Sequence, residues 1–500
     1  MNALDHISEP LYSADKVKLI ERKACELEGY ELFELMQRAG QFAWDYLQQK
    51  FPASENITVV AGAGNNAGDG FILAILANNC GKKVQVLTVK EQPTYRGDAA
   101  KAFEQLQQTN VAITQYAEDL LSDTDVLVDA ILGTGLSGSL RQDYLDVIHS
   151  INAWHETHCG FILSLDIPSG LDSENGTLNP VAIHSDECLS FINLKPGMVT
   201  GKAREYCHHW DVAELDIPDK ARVDIPLSAY ADDAEGLIRC LPKRQLTSHK
   251  GSHGHLLLIG GDDGFGGAIL MATQAAARVG VGRYTIVTRD SHIAPFLTQF
   301  PEAMIRSVED PYAEEFQRLL KQVNAIVIGP GLGTRDWGKN LFHACIAADC
   351  PMIIDADGLN HLANIDTIRD NWVLTPHPGE ASRLLLSDTQ TIESSRYQAV
   401  ADLQQKYQGT IILKGAGTLI SNGVFTTVCT DGNPGMASAG MGDILSGIVG
   451  SLLAQGIGPF LASRIAVALH AKAADRAALD GEKGLLATDL MTPLRQLVNL

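Results

Sequence analysis

The chain has 500 residues, 45% hydrophobic and 20% charged, and carries a formal net charge of −21. That length exceeds one ordinary core and calls for two domains. So acidic a surface excludes nucleic acid and anionic membrane as partners, so any phosphate-bearing ligand must be held locally by amides, lysines and metal ions. The first residues lack the basic and apolar regions of a signal peptide, and the longest apolar stretch, near 444–457, is interrupted by glycines and too short to span a bilayer. Nine dispersed cysteines without a CxxC pair fit reduced thiols in the cytoplasm.

In chain order, short apolar runs at 57–61, 84–89, 126–132, 161–167 and 189–194 read as buried parallel strands with helical patterns between several of them. This alternation predicts an α/β fold, a Rossmann-like doubly wound sheet. The first run leads into Gly62-Ala63-Gly64-Asn65-Asn66-Ala67-Gly68-Asp69-Gly70 and an apolar helix at 71–77. In a parallel sheet, ligands bind beyond the carboxyl ends of strands, and a glycine-rich loop lets backbone approach a phosphate. The spacing is not a clean dinucleotide fingerprint. Polar groups stand at three further strand ends: Asp129 ahead of Gly133-Thr134-Gly135-Leu136-Ser137-Gly138-Ser139, Asp166 before Ile167-Pro168-Ser169-Gly170, and Lys195 after the fifth run. Their convergence predicts one crevice. Lys195 has two readings there, an assistant to Asp166 or a surface lysine after a strand.

Asn-Asn-x-Gly-Asp-Gly at 65–70, Asp129 with its Gly-Thr-Gly loop, and Leu-Asp-Ile-Pro-Ser-Gly at 165–170 resemble the NAD(P)H-hydrate epimerase domain, the YjeF N-terminal domain. The resemblance implies that Asn66, Asp129 and Ser169 supply oxygens to a potassium ion. It implies that Asn65, Asn66, Ala67, Gly68 and Asp69, with residues 133–139, embrace the hydrated dinucleotide, and that Asp166 touches the damaged ring. Hard oxygen ligands suit an alkali cation. In a nicotinamide hydrate the hydroxyl sits on the carbon next to the ring nitrogen, so it can leave and return once a nearby group shuttles a proton. Asp166 is the expected acid/base and Lys195 its weaker assistant. Tyr144 is a further candidate contact. Ala67 stands where the family more often has glycine, a methyl expected to weaken the phosphate loop slightly.

Between 217 and 244 the alternation fails, and Pro218, Pro226 and Pro242 amid acidic residues mark a boundary between domains at 1–225 and 236–500. A second series follows, with strands at 255–259, 284–288, 325–328, 352–355, 372–374 and 410–413 and helices from Gly267 and Asp443. His249, His253 and His255 lack cysteine or carboxylate partners at finger spacing, so a phosphate-approaching loop suits this opening better than zinc. Gly329-Pro330-Gly331-Leu332-Gly333, Asp355-Ala356-Asp357-Gly358 and Thr375-Pro376-His377-Pro378-Gly379-Glu380 each close a strand. Lys414-Gly415-Ala416-Gly417-Thr418 then precedes Gly440-Met441-Gly442-Asp443. A glycine turn opening an apolar helix points bare N–H groups at whatever lies above its N-terminus, and Asp443 adds a carboxylate there. That combination holds a phosphoryl group beside a base.

Thr-Pro-His-Pro-Gly-Glu with Gly-Met-Gly-Asp resembles the NAD(P)H-hydrate dehydratase branch of the carbohydrate kinase-like (ribokinase-like) family, over about residues 240–500. The resemblance implies a ribokinase-like α/β domain, adenine-nucleotide binding by Lys414, Gly415, Ala416, Gly417, Thr418 and Gly442, and substrate contacts by Ala268, Gly331, His377 and Asp443. His377 also reads as a strand-end cap between prolines. Asp443 would deprotonate the hydrate's hydroxyl while the amides of 439–442 and Mg2+ neutralise the phosphoryl group from ADP. The ring nitrogen's lone pair would then expel phosphate.

The leading expectation is therefore a two-domain repair enzyme, cytoplasmic and homo-oligomeric, that uses K+ and Mg2+. It would interconvert the R and S forms of NADH hydrate and NADPH hydrate and dehydrate the S form at the expense of ADP, giving AMP and phosphate. Two other readings stand beside it. One is a thiazole or pyrimidine kinase fused to a nucleotide-binding module, and the other is a first half that serves only as an oligomerisation or partner-binding domain.

Overall fold

The computed structural model describes residues 7–135, 138–158 and 160–500. They divide into two compact units, Pro10–Ala229 and Tyr230–Leu500, the latter including residues 7–9. No helix among the described residues is long and apolar enough to cross a membrane.

The first unit is built on seven parallel strands in the spatial order Ala112–Gln115, Lys83–Thr88, Asn56–Ala61, Val126–Ala130, Phe161–Leu165, Ser185–Phe191, Cys207–Ala213. The central strands are near-continuous Val, Ile and Leu because helices bury both faces. Chain direction across the sheet reverses between Asn56–Ala61 and Val126–Ala130, and the loops leaving these strands part to open a crevice. A Cβ at Gly62 would stand 1.8 Å from the Ile131 carbonyl oxygen, so only glycine lets the two loops start so close together.

Two expectations shift here. The helix expected at 71–77 spans Asn65–Asn79, so residues 65–70 form its first turns instead of a free loop. A Cβ at Gly68 would lie 2.5 Å from the Met36 sulfur, and glycine at this position serves packing against the helix Leu32–Lys50. The fifth apolar run is paired earlier, over Ser185–Phe191, so Lys195 follows the strand by four residues. The edge strand Cys207–Ala213 went unpredicted because its outward positions are polar.

The second unit carries an eleven-stranded mixed sheet. Seven of its strands are parallel, in the order Met304–Ser307, Arg283–Thr288, His255–Ile259, Ala325–Ile328, Met352–Ile354, Trp372–Leu374, Thr410–Leu413. Antiparallel Thr418–Ser421 and Thr426–Cys429 follow, and then Ala229–Asp232 and Ser8–Leu11 at the edge. Part of the proline-punctuated segment 217–244 is thus a strand, followed by the helix Ala234–Arg239. Its acidity misleads because Asp232 is buried, receiving Arg464 Nη2 at 2.6 Å and Ser8 Oγ at 3.2 Å. Direction reverses between His255–Ile259 and Ala325–Ile328, where a Cβ on Gly260 would meet the Pro330 carbonyl oxygen at 2.0 Å.

The helix Met441–Ala454 begins two residues before the expected start, and nearly every residue from Ile444 on is buried. It lies against the helix Gly266–Val279 so closely that a Cβ on Gly447 would sit 2.0 Å from the Ala272 carbonyl oxygen. Gly450 likewise meets Val327 of the sheet, with 2.4 Å to its Cγ2. These two glycines fix the depth at which the helix presents its N-terminus. Gly447→Ala is expected to destabilise the second unit by about 1–3 kcal/mol through overpacking. Gly267→Ala, whose Cβ meets open space, should leave stability unchanged or slightly raised. Urea denaturation of the two variants checks both.

Candidate active sites

At the first reversal point a cavity of about 500 Å3 opens above the strand ends. Asn65, Asn66 and Asp69 reach it from the helix Asn65–Asn79, and Gly133, Thr134, Gly135 and Ser139 from the loop after Val126–Ala130. Tyr144 and Asp166 complete the group brought together there. Ala67 and Gly68 do not line it. The Ala67 methyl is wholly buried in the core and its N–H already donates to the Gly64 carbonyl at 3.2 Å, so it faces no phosphate and the expected weakening has no basis. Gly138 lies exposed in the same loop at φ +78°, and Leu136 and Ser137 lie outside the described residues.

Beneath the cavity, the Asp129 carboxylate is fully buried. Its Oδ1 accepts from Ser169 Oγ at 2.5 Å and Ile131 N–H at 3.2 Å, and its Oδ2 from Ser164 Oγ and Ser169 N–H, both at 2.8 Å. Burial pushes this carboxyl up from its ordinary value, and the bonds from Ser169 pull against that. Asn66 donates Nδ2 to the Leu165 carbonyl at 3.1 Å, while its Oδ1 is buried with no hydrogen-bond partner. A buried orphan oxygen at Asn66 and the carboxylate and hydroxyl of Asp129 and Ser169 are donors of the kind that suits a hard cation.

Asp166 sits at φ +66°, the left-handed region that a non-glycine residue occupies at a cost of about 1–2 kcal/mol. One carboxylate oxygen takes the ammonium of Lys195, and the other faces Thr134 N–H at 3.4 Å. Lys195 is only 1% exposed and also donates to Ser190 Oγ at 2.9 Å and the Phe191 carbonyl at 3.0 Å. The surface reading of Lys195 is therefore overturned. Held by three acceptors, this lysine is the fixed counter-charge of Asp166.

Several cavity residues escaped the motifs, among them the charged Lys18, Glu21, Asp98 and Arg141. Glu21, on the helix Ala14–Glu28, lines the same space. Its signal is helical spacing: it shares a face with buried Val17 and Ala24, four residues before and three after.

In the second unit, charged groups from three strand ends gather at the start of the helix Met441–Ala454. Asp355 is buried, with Oδ1 accepting from Lys414 Nζ at 2.8 Å and Oδ2 from Ser446 Oγ at 2.7 Å. Burial opposes its charge, but Lys414 holds it below the usual carboxylate range. Lys414 suffers the same burial, and Asp355 and Glu380, the latter 3.7 Å away, keep it above its ordinary value. Asp443 stands half-buried on the first turn of the helix. Burial first, then the Asp355 charge, push its carboxyl up to about 7, against the pull of Lys414.

A Cβ on Gly442 would lie 3.3 Å from Lys414 Nζ, so the two expected nucleotide residues meet. Arg396, buried and unforeseen, donates to the carbonyls of Leu413, Lys414 and Gly417 and shapes the loop that carries Gly415 at φ +137° and Gly417 at φ +63°. Ala268 and Gly331 also come together, their β positions 3.4 Å apart. His377 does cap: its Nδ1 accepts from Gly379 N–H at 3.0 Å, Glu380 returns a bond to His377 N–H at 2.8 Å, and half of the imidazole stays exposed. His470, on the helix Pro459–Ala477, is buried with Nε2 unpartnered and is kept neutral by burial and the nearby Lys414.

Parallel sheets with polar residues gathered at their reversal points, the second crowned by a helix N-terminus bearing a carboxylate beside a buried lysine, define a two-unit α/β enzyme class. Comparison with known proteins narrows this. Residues 32–197 match the family described as YjeF-related protein N-terminus, and residues 256–496 the family described as NAD(P)H-hydrate dehydratase. The chain is 43% identical over 491 residues to the bifunctional NAD(P)H-hydrate repair enzyme of Coxiella burnetii, covering 98% of this chain and 99% of that one. To its counterpart in Escherichia coli K12 the identity is 40%, over 99% and 95%. A ribokinase-like superfamily protein of Enterococcus faecalis aligns with 53% of this chain and 94% of its own at a TM-score of 0.50 and 29% identity. The chain belongs to the bifunctional NAD(P)H-hydrate repair enzyme family.

Breaking the first site's ion pair leaves a carboxylate without its buried partner. Lys195→Met is expected to destabilise the first unit by about 3–5 kcal/mol, and the double variant Lys195→Met/Asp166→Asn to recover most of the loss, as read by urea denaturation.

Proposed function

We propose that the first unit interconverts the R and S hydrates of NADH and NADPH, and that the second dehydrates the S form with ADP as phosphoryl donor, giving AMP and phosphate. The observation that carries this reading is the Asp443 carboxyl, raised to about 7 on the first turn of a buried helix beside the Lys414–Asp355 pair. A base poised near neutrality at an anion-binding terminus is matched to taking a proton from a hydroxyl as that oxygen receives a phosphoryl group.

In the second unit, Asp443 accepts the hydroxyl proton of the hydrate. The amides at the helix N-terminus and the Lys414 ammonium face the transferring phosphoryl group, and the loop moulded on Arg396 receives the nucleotide. Phosphorylation turns the hydroxyl into a leaving group, and the ring nitrogen's lone pair expels phosphate and restores the dihydronicotinamide. Magnesium would arrive with the nucleotide and neutralise its phosphates.

In the first unit, Asp166 exchanges a proton with the oxygen at the ring face it meets, and Lys195 keeps that carboxylate in place. Asn66, Asp129 and Ser169 would hold potassium, which supplies a fixed positive charge below the cavity. Since the second site takes one epimer and the first replenishes it, the two reactions belong on one chain.

Asp443→Ala is expected to abolish the nucleotide-dependent return of dihydronicotinamide absorbance while R/S interconversion continues, and Asp166→Ala to do the reverse. Normal dehydration of the S form by Asp443→Ala contradicts the assignment. Because the base must be ionised, the wild-type dehydration rate should fall about tenfold per pH unit below about 7 and level off above it. A flat profile from pH 5 to 8 counts against Asp443 as the base.

A further inference from the structure

The N-terminal reaction moves a hydroxyl from one face of a ring to the other. If it leaves as water and water returns, a proton must be given on one face and taken on the opposite one. Asp166 cannot serve both. Lys195 occupies one of its oxygens, Thr134 N–H faces the other, and its backbone is held in the left-handed region. A carboxylate pinned at three points addresses one face.

Glu21 enters the same cavity from a separate element, the helix Ala14–Glu28. It makes no hydrogen bond or ion pair among the described residues, so both its oxygens are open to a ligand. We propose that Glu21 is the second proton carrier of the epimerisation, serving the ring face that Asp166 does not reach. This rests on the assignment of epimerisation to the first unit.

The step balances without a further reactant. The Glu21 carboxylic acid gives its proton to the hydroxyl oxygen, the C–O bond breaks, and water departs with the bonding pair as the ring nitrogen's lone pair forms C=N+. Water on the other face adds to the carbon and yields a proton to the Asp166 carboxylate. One proton has passed from Glu21 to Asp166, nothing has been oxidised, and the reverse reaction exchanges the two roles.

The surroundings suit both forms of Glu21. Burial and the Asp166 charge raise its carboxyl to about 7, with Lys195, Lys18 and Arg22 pulling the other way, so acid and base coexist near neutrality. Of the other carboxyls in the cavity, Asp69 is raised well above its ordinary value by burial and by Asp166, and Asp98 is paired with Lys101 at 3.0 Å. The second unit repeats the pattern, a buried lysine–aspartate pair beside a carboxyl raised to about 7.

Glu21→Gln keeps the shape and removes the proton carrier. With separated R and S hydrates, this variant should interconvert them at least ~100-fold more slowly than wild type, chiefly in kcat. Glu21→Asp should keep part of the rate, and added formate should partly restore Glu21→Ala. In H2(18)O the wild type should place solvent oxygen on the ring carbon at each turnover. Wild-type kcat in Glu21→Gln overturns the role of Glu21 alone, as does a loss that neither Glu21→Asp nor formate relieves. A wild-type protein that leaves the R/S ratio unchanged overturns the epimerase reading and this one together.

Discussion

A buried lysine–aspartate pair at the carboxyl ends of a parallel sheet is the constraint on which both sites depend. Lys195 and Asp355 are buried, their partners Asp166 and Lys414 stay partly open to the sites, and removing a charge from water costs several kcal/mol per ion unless geometry and further hydrogen bonds offset it. The structure supplies those bonds: Ser190 and Phe191 around Lys195, Ser446 around Asp355. Each pair then acts on a neighbour. Burial first, and then the negative member of the pair, raises an adjacent carboxyl, Glu21 in one unit and Asp443 in the other, to about 7. An otherwise ordinary acid becomes a proton carrier at neutral pH without any unusual residue.

The rigid packing around the second pair serves the same end. A helix N-terminus is useful to a phosphoryl group only if it stands at the right depth, and Gly447 and Gly450 set that depth by letting the helix Met441–Ala454 touch a neighbouring backbone and the sheet. What distinguishes this site from one that makes a stable phosphate ester is the acceptor. A hydroxyl next to a ring nitrogen becomes a leaving group once phosphorylated, so a fold suited to phosphoryl transfer can carry out an elimination.

Much of this was legible in the sequence because parallel strands buried on both faces read as plain apolar runs, and the residues just beyond them are the site. Asp129, Asp166, Asp355 and Lys414 are all found this way. Harder to read was whatever depends on partners far along the chain. Lys195 looks like a surface residue until Asp166, 29 positions earlier, is seen beside it. Arg396 has no motif, since its acceptors are backbone carbonyls that exist only once the 414–417 loop has folded. Acidic Asp232 suggested a linker because Arg464 lies 232 residues away. Glu21 lies before the matched family span, and its place on the buried face of an amphipathic helix is the only trace of its role.

By our reading the hydroxyl is phosphorylated only to be eliminated, with the first unit feeding the second. The most direct test is to give the wild-type protein a racemic hydrate with ADP and Mg2+ and to record dihydronicotinamide absorbance and inorganic phosphate together. We expect complete recovery of both epimers with one phosphate released per ring restored. A phosphorylated hydrate that accumulates, or recovery that stops when the S half is consumed, would contradict it.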